Sequence, residues 1–505
     1  MKREIDRLAA RTFDVLVVGG GIYGLTIAYD AAQRGLSVAL IERNDFGSGA
    51  SFNHFRTIHG GLRYLQTVDL ARARESVRER RTMARIAPRA VRPLAFALPL
   101  RPSFTRGKTA MRLGFALDCI VAFDRNQDVP PHLRLPPSRV VSKTEAVRRI
   151  DHFPRSHVSG AAIWYDYAAV EADRLTFAFA LAAAGLGATL ANYVEAVAAV
   201  AEGRRVTGVS AVDGQSGRTL EIAARVTVNA TGSAVDRLLD ALDSPTRIPM
   251  LKAMNLVTRR PGGDIAIGGR APSGRYLFMV PWRGRALFGT WEADRASDPG
   301  DTGVSAHEVA AFLGELMETF PGLDLTPDEV TLVHRGLVPA AMASNGHVSL
   351  DAHEQIRDSV DGLVSVAGPK YTTARAVAER VVDGLFTKLG RSPVTCRTAS
   401  TPLPGDGVRD QEPIEKLCAA RPELSAPVDR DSSVIGAELV WAARDEMAVT
   451  LADAVIRRTP LGALGYPGDS TIERAAELVG GELGWSEDLK REEIAKVKRF
   501  YRWQD

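Results

Sequence analysis

The stretch Phe13–Gly24, FDVLVVGGGIYG, decides the fold of this chain. Its first half predicts a short buried strand that runs into a glycine-rich turn. Residues 22–34 predict a helix, because their apolar side chains recur at helical spacing. Gly35 ends that helix, and LSVALIE (36–42) predicts a second buried strand. A strand, a helix and a second strand within about 30 residues form a βαβ unit. The sequence therefore predicts an α/β fold.

Three glycines in the turn, Gly19, Gly21 and Gly24, have the G-x-G-x-x-G spacing of dinucleotide-binding proteins. The first permits the tight turn, the second lets a pyrophosphate approach the backbone, and the third lets the helix pack on the strand. The helix N-terminus then offers N–H groups and a partial positive charge to the phosphates. Glu42 ends the second strand, where an acid binds ribose hydroxyls. We expect a bound dinucleotide at this turn.

Two later segments favour FAD over NAD, between which the glycine motif does not decide. Residues 225–230 predict a buried strand that ends at Thr231 and Gly232, like the second cofactor strand of two-domain flavoproteins. The run Ala367–Pro369 precedes a predicted helix over 370–389. The N-terminus of that helix would stabilise a reduced, anionic flavin.

The composition excludes several classes of protein. The 505 residues include 64 Lys and Arg against 61 Asp and Glu, a net charge of +3, which excludes a nucleic-acid binder driven by bulk charge. The three cysteines form no C-x-x-C pair, so we expect no disulfide framework, no metal site and a reducing, cytoplasmic compartment. The N-terminus does not resemble a signal peptide, and no apolar run of about 18 residues predicts a membrane span.

Two predicted helices bear on membrane contact. Residues 66–92 are rich in arginine, and residues 109–123 are more apolar and lie beside basic residues. A basic face attracts anionic lipid, but Glu75 and Glu79 on the first helix also fit a solvated face of ion pairs. Peripheral contact with the inner face of the cell membrane is therefore left open.

The rest of the chain alternates between strand and helix patterns before it becomes helical. Four prolines in residues 391–413 indicate a linker. Strands are predicted at 252–258, 275–281, 285–291 and near 329–335, and C-terminal helices at 435–458, 470–480 and 486–502.

Four segments carry a resemblance to a known family. Ile58–Leu65 reads IHGGLRYL and Gly368–Arg375 reads GPKYTTAR; the other two are Arg444–Met447 and Arg457–Leu461. Over about residues 12–460 the chain resembles the FAD-dependent glycerol-3-phosphate dehydrogenases, a family of the DAO superfamily of flavoprotein oxidoreductases. The resemblance implies a glutathione-reductase-like FAD-binding domain, an antiparallel-sheet substrate domain and a C-terminal all-α domain.

The resemblance also implies domain boundaries. The FAD-binding domain spans 12–390 and is interleaved with the substrate domain, which is mainly 90–160 and 245–350. Residues 391–413 are the linker and 414–505 the C-terminal helical domain. Members of the family oxidise the C2 hydroxyl of glycerol 3-phosphate and pass electrons to quinone at the membrane surface or to oxygen. The implied cofactor is FAD and the implied partners are a small-molecule substrate and one of these acceptors, while a homodimer is left open.

The glycine motif and the resemblance together identify candidate site residues. The catalytic candidates are His59, Arg63, Lys370 and Arg335. The substrate-binding candidates are Arg63, Tyr64, Lys370 and Thr373. The cofactor-binding candidates are Gly19, Gly21, Gly24, Glu42, Arg43, Ser51, Arg56, Thr231, Gly232, Gly368 and Thr372. Arg56 takes the place of a lysine in the family. Whether FAD is attached covalently through His54 is left open.

The chain departs from the family pattern in the substrate domain. Val338 occupies the place of one family arginine, and a second arginine is missing from the run 345–351. Arg335 lies three residues before Val338, an odd offset that places it on the opposite face of a regular strand. Bulky residues at 52–55 replace small serines. Because a bidentate arginine contact is hard to replace, the alternative substrate is a different small polar alcohol or an amine.

Overall fold

The computed structural model describes residues 1–103, 107–150, 153, 157–240, 247–344, 346–430 and 432–503. Asn345, the first residue of the run 345–351, lies outside them. Within the described residues the strands are, in chain order, β1 Phe13–Val18, β2 Val38–Ile41, β3 Thr57–Ile58, β4 Val91–Leu100, β5 Arg139–Ser142, β6 Gly160–Ala169, β7 Thr189–Ala191, β8 Val194–Glu202, β9 Arg205–Asp213, β10 Thr219–Asn229, β11 Met250–Thr258, β12 Ile265–Arg270, β13 Tyr276–Trp282, β14 Arg285–Glu292, β15 Val330–Met342, β16 Val348–Leu350, β17 Gln355–Val360 and β18 Leu363–Ala367.

The α-helices lie between and after these strands. In chain order they are α1 Ile5–Ala9, α2 Ile22–Gln33, α3 Leu70–Ile86, α4 Lys108–Val121, α5 Lys143–Arg149, α6 Ala172–Gly185, α7 Val235–Asp240, α8 Ala306–Thr319, α9 Ala374–Lys388, α10 Glu412–Ala420, α11 Gly436–Asp445, α12 Asp469–Leu483 and α13 Glu487–Tyr501. No helix in this part of the chain is both long and apolar enough to cross a membrane.

The first sheet is built around β1, whose six residues are all buried. Its strand order is β17-β18-β10-β1-β2-β7, with β8 and β9 added beside β10. The strands from β18 to β7 are parallel, and α2, α6 and α9 pack beside one another on them. Parallel strands put their carboxyl ends at one edge, where ligands bind in open α/β sheets. The predicted α/β unit is confirmed.

The second sheet has the order β16-β15-β11-β14-β13-β12-β4-β6-β3, with β5 paired to β6. All of its pairings are antiparallel except that of β12 with β4. In sequence, β3–β6 lie between β2 and β7 of the first sheet, and β11–β16 lie between β10 and β17. The two sheets are therefore interleaved along the chain, and the predicted strands at 252–258, 275–281 and 285–291 lie in the second one.

The arginine-rich helix is shorter than the predicted 66–92. α3 ends at Ile86, because Pro88 disfavours a helical Ala87, and β4 begins at Val91. Its arginines form ion pairs: Arg74 and Arg81 with Asp124, and the buried Arg80 with Asp166. This helix is therefore a packed element rather than a free basic face.

The predicted linker packs against the cofactor domain. Leu403 is buried and donates its N–H to the Ile86 carbonyl (2.8 Å), and Arg391 pairs with Asp14 at 2.6 Å. The predicted helix 435–458 is broken, because Met447 has a left-handed backbone (φ 54°). A π-helical turn, Asp453–Arg458, follows the break.

Candidate functional site

A cavity of about 2,870 Å³ lies where the carboxyl ends of the first sheet face the second sheet. Residues at the ends of β1, β2, β10 and β18 line one part of it, and residues of β11, β13, β14 and β15 line another. A cavity of this size has room for a dinucleotide and a small substrate together.

The glycine turn opens this cavity at the N-terminus of α2. Gly19 has a left-handed backbone (φ +107°), and a Cβ on Gly24 would lie 1.9 Å from the Gly19 carbonyl oxygen. The turn therefore requires glycine at both positions. Ser51 caps the helix, since its Oγ accepts the Ile22 N–H at 2.9 Å. Gly19, Gly21 and Ser51 line the cavity.

Glu42 is held at the end of β2 by the turn itself. Its Oε2 accepts the Gly20 N–H at 2.7 Å and its Oε1 accepts the Asn44 N–H at 2.8 Å. Burial raises the pKa of this carboxyl above its ordinary value, and the two backbone bonds partly offset that rise. Glu42 and the exposed Arg43 both line the cavity, as the sequence predicts for a ribose-binding acid and its neighbour.

The far side of the cavity is formed by two chain turns and the N-terminus of α9. Thr231, Gly232, Gly368, Thr372 and Thr373 all line it. Thr373 is fully buried, and its Oγ1 has no hydrogen-bond partner among the described residues. A buried hydroxyl without a partner is costly unless a ligand satisfies it. This orphaned group, the glycine turn and Glu42 together fit a bound dinucleotide.

His59 is positioned by an acid that the sequence reasoning missed. Its Nδ1 lies 3.2 Å from Oδ2 of the buried Asp166, and its backbone N–H donates to Thr372 Oγ1 at 3.2 Å. Asp166 also accepts the Gly60 N–H (2.7 Å) and an Arg80 N–H (2.5 Å). Burial raises the pKa of Asp166, but Arg80 and His59 outweigh it, so that the pKa lies below its ordinary value.

Three candidate cations line the cavity. Lys370 Nζ lies 4.2 Å from the centroid of the Tyr64 ring and donates to the Ala352 carbonyl at 2.5 Å. Burial, with the nearby Arg63, lowers the pKa of Lys370 to about 7. Burial also lowers the pKa of Arg335. In the described part of the chain no carboxylate forms an ion pair with Lys370, Arg63 or Arg335.

Arg335 and Val338 both line the cavity, although their odd offset predicts that they lie on opposite faces of the strand. Every residue from Arg335 to Pro339 contributes to its lining. β16 pairs only with Ala340–Met342, so the preceding edge of β15 borders the cavity rather than a strand. Alternation of side chains between the two faces of a strand does not decide which residues line the cavity here, because the cavity borders an edge of β15 as well as one of its faces.

Arg56, a predicted cofactor contact, is placed elsewhere. It is fully buried, pairs with Asp173 at 3.0 Å, and its guanidinium lies about 5 Å from the Phe52 and Trp282 rings. Arg56 does not line the cavity. Its predicted contact with the cofactor stays a prediction, and this buried position does not favour it. His54 does line the cavity and stacks on Tyr371, with ring centroids 4.2 Å apart.

The sequence pattern of the FAD dependent oxidoreductase family matches residues 14–383. This chain belongs to that family. Residues 407–490 of the oxidoreductase match the pattern described as the C-terminal domain of alpha-glycerophosphate oxidase. The two matches confirm the resemblance stated from the sequence and the flavin assignment, and the C-terminal helices α10–α12 lie within the second one.

Curated relatives match nearly the whole oxidoreductase. A glycerol-3-phosphate dehydrogenase of Synechocystis sp. is 28% identical, with 99% of this chain and 98% of the relative covered. Glycerol-3-phosphate dehydrogenase 2 of Mycobacterium tuberculosis is 29% identical over 96% of this chain and 88% of its own. The solved Bacillus halodurans glycerol-3-phosphate dehydrogenase complexed with FAD has a TM-score of 0.73 at 23% identity, covering 99% and 96% of the two chains. That structure supports the fold.

Proposed function

We propose that this FAD-dependent oxidoreductase oxidises the C2 hydroxyl of glycerol 3-phosphate, or of a closely related polyol phosphate. The observation that carries the proposal is that three basic side chains, Arg63, Lys370 and Arg335, line the cavity and form no ion pair with a carboxylate among the described residues. Glu292 in the same lining lies close enough for Arg63 to offset part of the rise that burial causes in its pKa. Cations left unpaired beside an open cavity fit an anionic substrate, because charge-assisted bonds to phosphate are the strong ones. The curated glycerol-3-phosphate dehydrogenases of similar length support the same substrate class.

The residues around His59 supply the proton chemistry. If Nδ1–H donates to the Asp166 carboxylate, Nε2 is left with a lone pair that takes the proton of the C2 hydroxyl. Asp166 fixes the orientation of the ring and stabilises the imidazolium that forms. The glycine turn, Glu42 and Thr373 would hold FAD, which would supply the hydride acceptor needed for the alcohol to become a ketone. Lys370 and Arg63 stabilise the negative charge on the substrate oxygens.

The direct test is anaerobic mixing of the yellow holoenzyme with glycerol 3-phosphate. Bleaching of the flavin absorbance, with one dihydroxyacetone phosphate formed per flavin, supports the proposal. If neither glycerol 3-phosphate nor other polyol phosphates bleach the flavin, the substrate assignment is wrong. Glycerol in the same assay shows how far the rate depends on the phosphate.

A second candidate is a dehydrogenase or oxidase of a different small polar alcohol or an amine. Val338 favours it, because this apolar side chain belongs to the cavity lining where the family carries an arginine. The bulky Phe55 lines the same cavity. A panel of unphosphorylated alcohols and amines, followed by flavin bleaching and by peroxide release in air, separates the two candidates.

We infer further that the electron acceptor is a quinone reached at a membrane surface through the apolar stripe of α4. We use this name for Leu113 and Ile120 of α4 together with Phe123 in the turn that follows it; these residues are 69%, 71% and 77% exposed. Exposed apolar side chains on one helix and the turn after it favour an interfacial position, and the exposed Arg101 and Arg112 fit anionic lipid headgroups. Reduction of oxygen in place of a quinone is the competing outcome.

A further inference from the structure

The cofactor loop, residues 42–55, has one side on the cavity and another side against the protein. Arg43, Asn44 and residues 48–51 line the cavity, whereas Asp45, Phe46 and Gly47 do not. The Gly47 N–H donates to the Gly20 carbonyl at 2.8 Å, so the hidden side is bonded directly to the glycine turn. A Cβ on Gly20 would lie 2.8 Å from Phe46 Cδ1, which shows how closely the loop packs on that turn.

Asp45, at the hidden side of this loop, is bound by the C-terminal domain. Both of its oxygens accept from Arg458, each at 2.7 Å, and Oδ2 also accepts from Arg457 Nε at 2.7 Å. Asp45 and the Arg458 side chain are fully buried. Arg457 is held in turn by Asp453, and Asn192 donates to Asp45 Oδ1 at 3.0 Å.

The cluster pairs two carboxylates, Asp45 and Asp453, with two arginines, Arg457 and Arg458. Burial raises the pKa of Asp45, but Arg458 and Arg457 outweigh it, so that the pKa lies below its ordinary value. Asp45 therefore stays charged, and loss of its arginine partners would leave an uncompensated buried charge, which is strongly destabilising. Both arginines belong to the motif Arg457–Leu461. Asp45 and Arg458 are 413 residues apart in sequence.

We propose that Arg457 and Arg458 are positioning residues for the FAD site: by binding Asp45 they hold the cofactor loop against the glycine turn. FAD affinity then depends on the docking of the C-terminal helical domain. The two arginines act through Asp45 and do not line the cavity themselves.

A second buried cluster joins the same two domains and meets the first through backbone carbonyls: the Glu446 carbonyl accepts from Arg458 Nε at 3.0 Å, and the Arg458 carbonyl accepts from Arg409 at 2.8 Å. Glu446 accepts two bonds from Arg174 of α6, at 2.7 and 3.0 Å, and one from Arg409 at 3.0 Å. Like Asp45, Glu446 is a buried acid bound by two arginines. Its bond to Arg174 crosses the domain interface, because Arg174 belongs to the cofactor domain. Glu446→Gln removes only the side-chain charge and keeps the backbone carbonyl that Arg458 binds, so it provides a matched control for the loss of one buried charge at the domain interface.

The experiment compares Asp45→Asn with Glu446→Gln. For each purified protein, the dissociation constant of FAD is measured by titrating the apoprotein and following flavin fluorescence. Hydrogen exchange of loop peptides covering residues 43–55 is measured in the apoprotein and holoprotein. We expect Asp45→Asn to weaken FAD binding roughly tenfold or more and to speed exchange in the loop. Glu446→Gln should leave both quantities within about twofold of the parent, even where it lowers the melting temperature as much.

Two results would overturn the proposal: equal losses of FAD affinity in the two variants, or unchanged affinity and loop exchange in Asp45→Asn. If Asp45→Asn does not fold, Arg458→Lys keeps the positive charge and removes the bidentate contact, with Arg174→Lys as its control. Weaker FAD binding in Arg458→Lys alone supports the proposal, and equal binding in the two lysine variants contradicts it.

Discussion

The Nδ1 atom of His59 lies 3.2 Å from the Oδ2 atom of Asp166, although 107 residues separate them in sequence. Pairing of β3 with β6 brings them together, since Ile58 is opposite Tyr167 in the sheet. A carboxylate that holds one ring nitrogen leaves the other free for proton transfer. This pair therefore stands at the centre of the proposed chemistry.

Replacing His59 should slow the chemical step and leave the cofactor in place. We expect His59→Asn to lower the rate of anaerobic flavin reduction by glycerol 3-phosphate by roughly 10²-fold or more, the usual size of a general-base contribution. Stopped-flow absorbance measures the rate, and the flavin content of the purified protein checks the site. His307→Asn, on the exposed face of α8, should behave like the parent. A normal rate in His59→Asn would exclude the proposed base.

Lys370 predicts proton uptake when a dianion binds. Because burial and Arg63 lower its pKa to about 7, the amine is mostly neutral at pH 8 in the free enzyme. A bound phosphate dianion favours the charged form and raises that pKa, so binding at pH 8 should take up nearly one proton per site. Below about pH 6 the amine is already charged and the uptake should vanish.

Proton uptake is measured by calorimetry in two buffers of different ionisation enthalpy. Glycerol 2-phosphate is a suitable probe, because its secondary oxygen is esterified and cannot be oxidised. Lys370→Met should abolish the uptake at pH 8, while Lys143→Met, an exposed lysine on α5, should retain it. Uptake that persists in Lys370→Met would assign the proton to another group.

Arg335 should contribute to binding of the phosphate rather than to folding. Its side chain borders the cavity and pairs with no carboxylate among the described residues, so its loss leaves no buried charge uncompensated. We expect Arg335→Gln to raise the KM for glycerol 3-phosphate about tenfold or more, with little change in melting temperature. Activity on an unphosphorylated alcohol should change less. Arg295→Gln, at an exposed position outside the cavity lining, is the control.

The turn at Gly24 should tolerate no side chain. A Cβ there would meet the Gly19 carbonyl oxygen at 1.9 Å, and this neighbour is backbone that cannot rotate away. Gly24→Ala should therefore open the turn and yield protein with little bound FAD, with a destabilisation of about 1–3 kcal/mol or more. Gly185→Ala on α6 is the matched control, because nothing lies within 4 Å of its added Cβ. A yellow, fully loaded Gly24→Ala protein would show that the contact can relax.

The sequence could predict where the candidate cofactor residues lie, because the geometry of that half of the site is local. Gly19, Gly24 and Glu42 lie within one βαβ unit, so their spacing alone indicates their roles. Asp166 reaches His59 only through strand pairing, and Asp45 reaches Arg458 only through domain docking. Neither contact can be recognised from the spacing of residues in the sequence. The one hint of Asp166 is a single acid in the otherwise apolar and aromatic strand β6.

The substrate half of the site is less predictable from the sequence, because alternation along a strand does not show which of its edges is free. The odd offset between Arg335 and Val338 predicts opposite faces, yet both residues border the cavity along an edge of β15 that pairs with no described strand and where Asn53 binds the Arg335 N–H. Similarly, Met447 ended a predicted helix through a left-handed backbone that its side chain does not favour. Met447 is buried against the core of the cofactor domain and its carbonyl accepts from Asn192 at 2.8 Å, so contacts between domains favour this conformation over local propensity.

The apolar stripe of α4 should control binding to lipid. Leu113, Ile120 and Phe123 expose most of their side chains, so replacing all three by serine removes apolar surface without disturbing a core. We expect the triple variant to bind vesicles with anionic headgroups at least about tenfold more weakly in a sedimentation assay. It should reduce a lipid-dissolved quinone more slowly and a soluble dye at the parent rate. Leu186→Ser, which removes an equally apolar side chain that is 50% exposed on another surface, should bind like the parent. Equal vesicle binding by the triple variant would place any membrane contact elsewhere, and rapid peroxide release in air would instead favour oxygen as the acceptor.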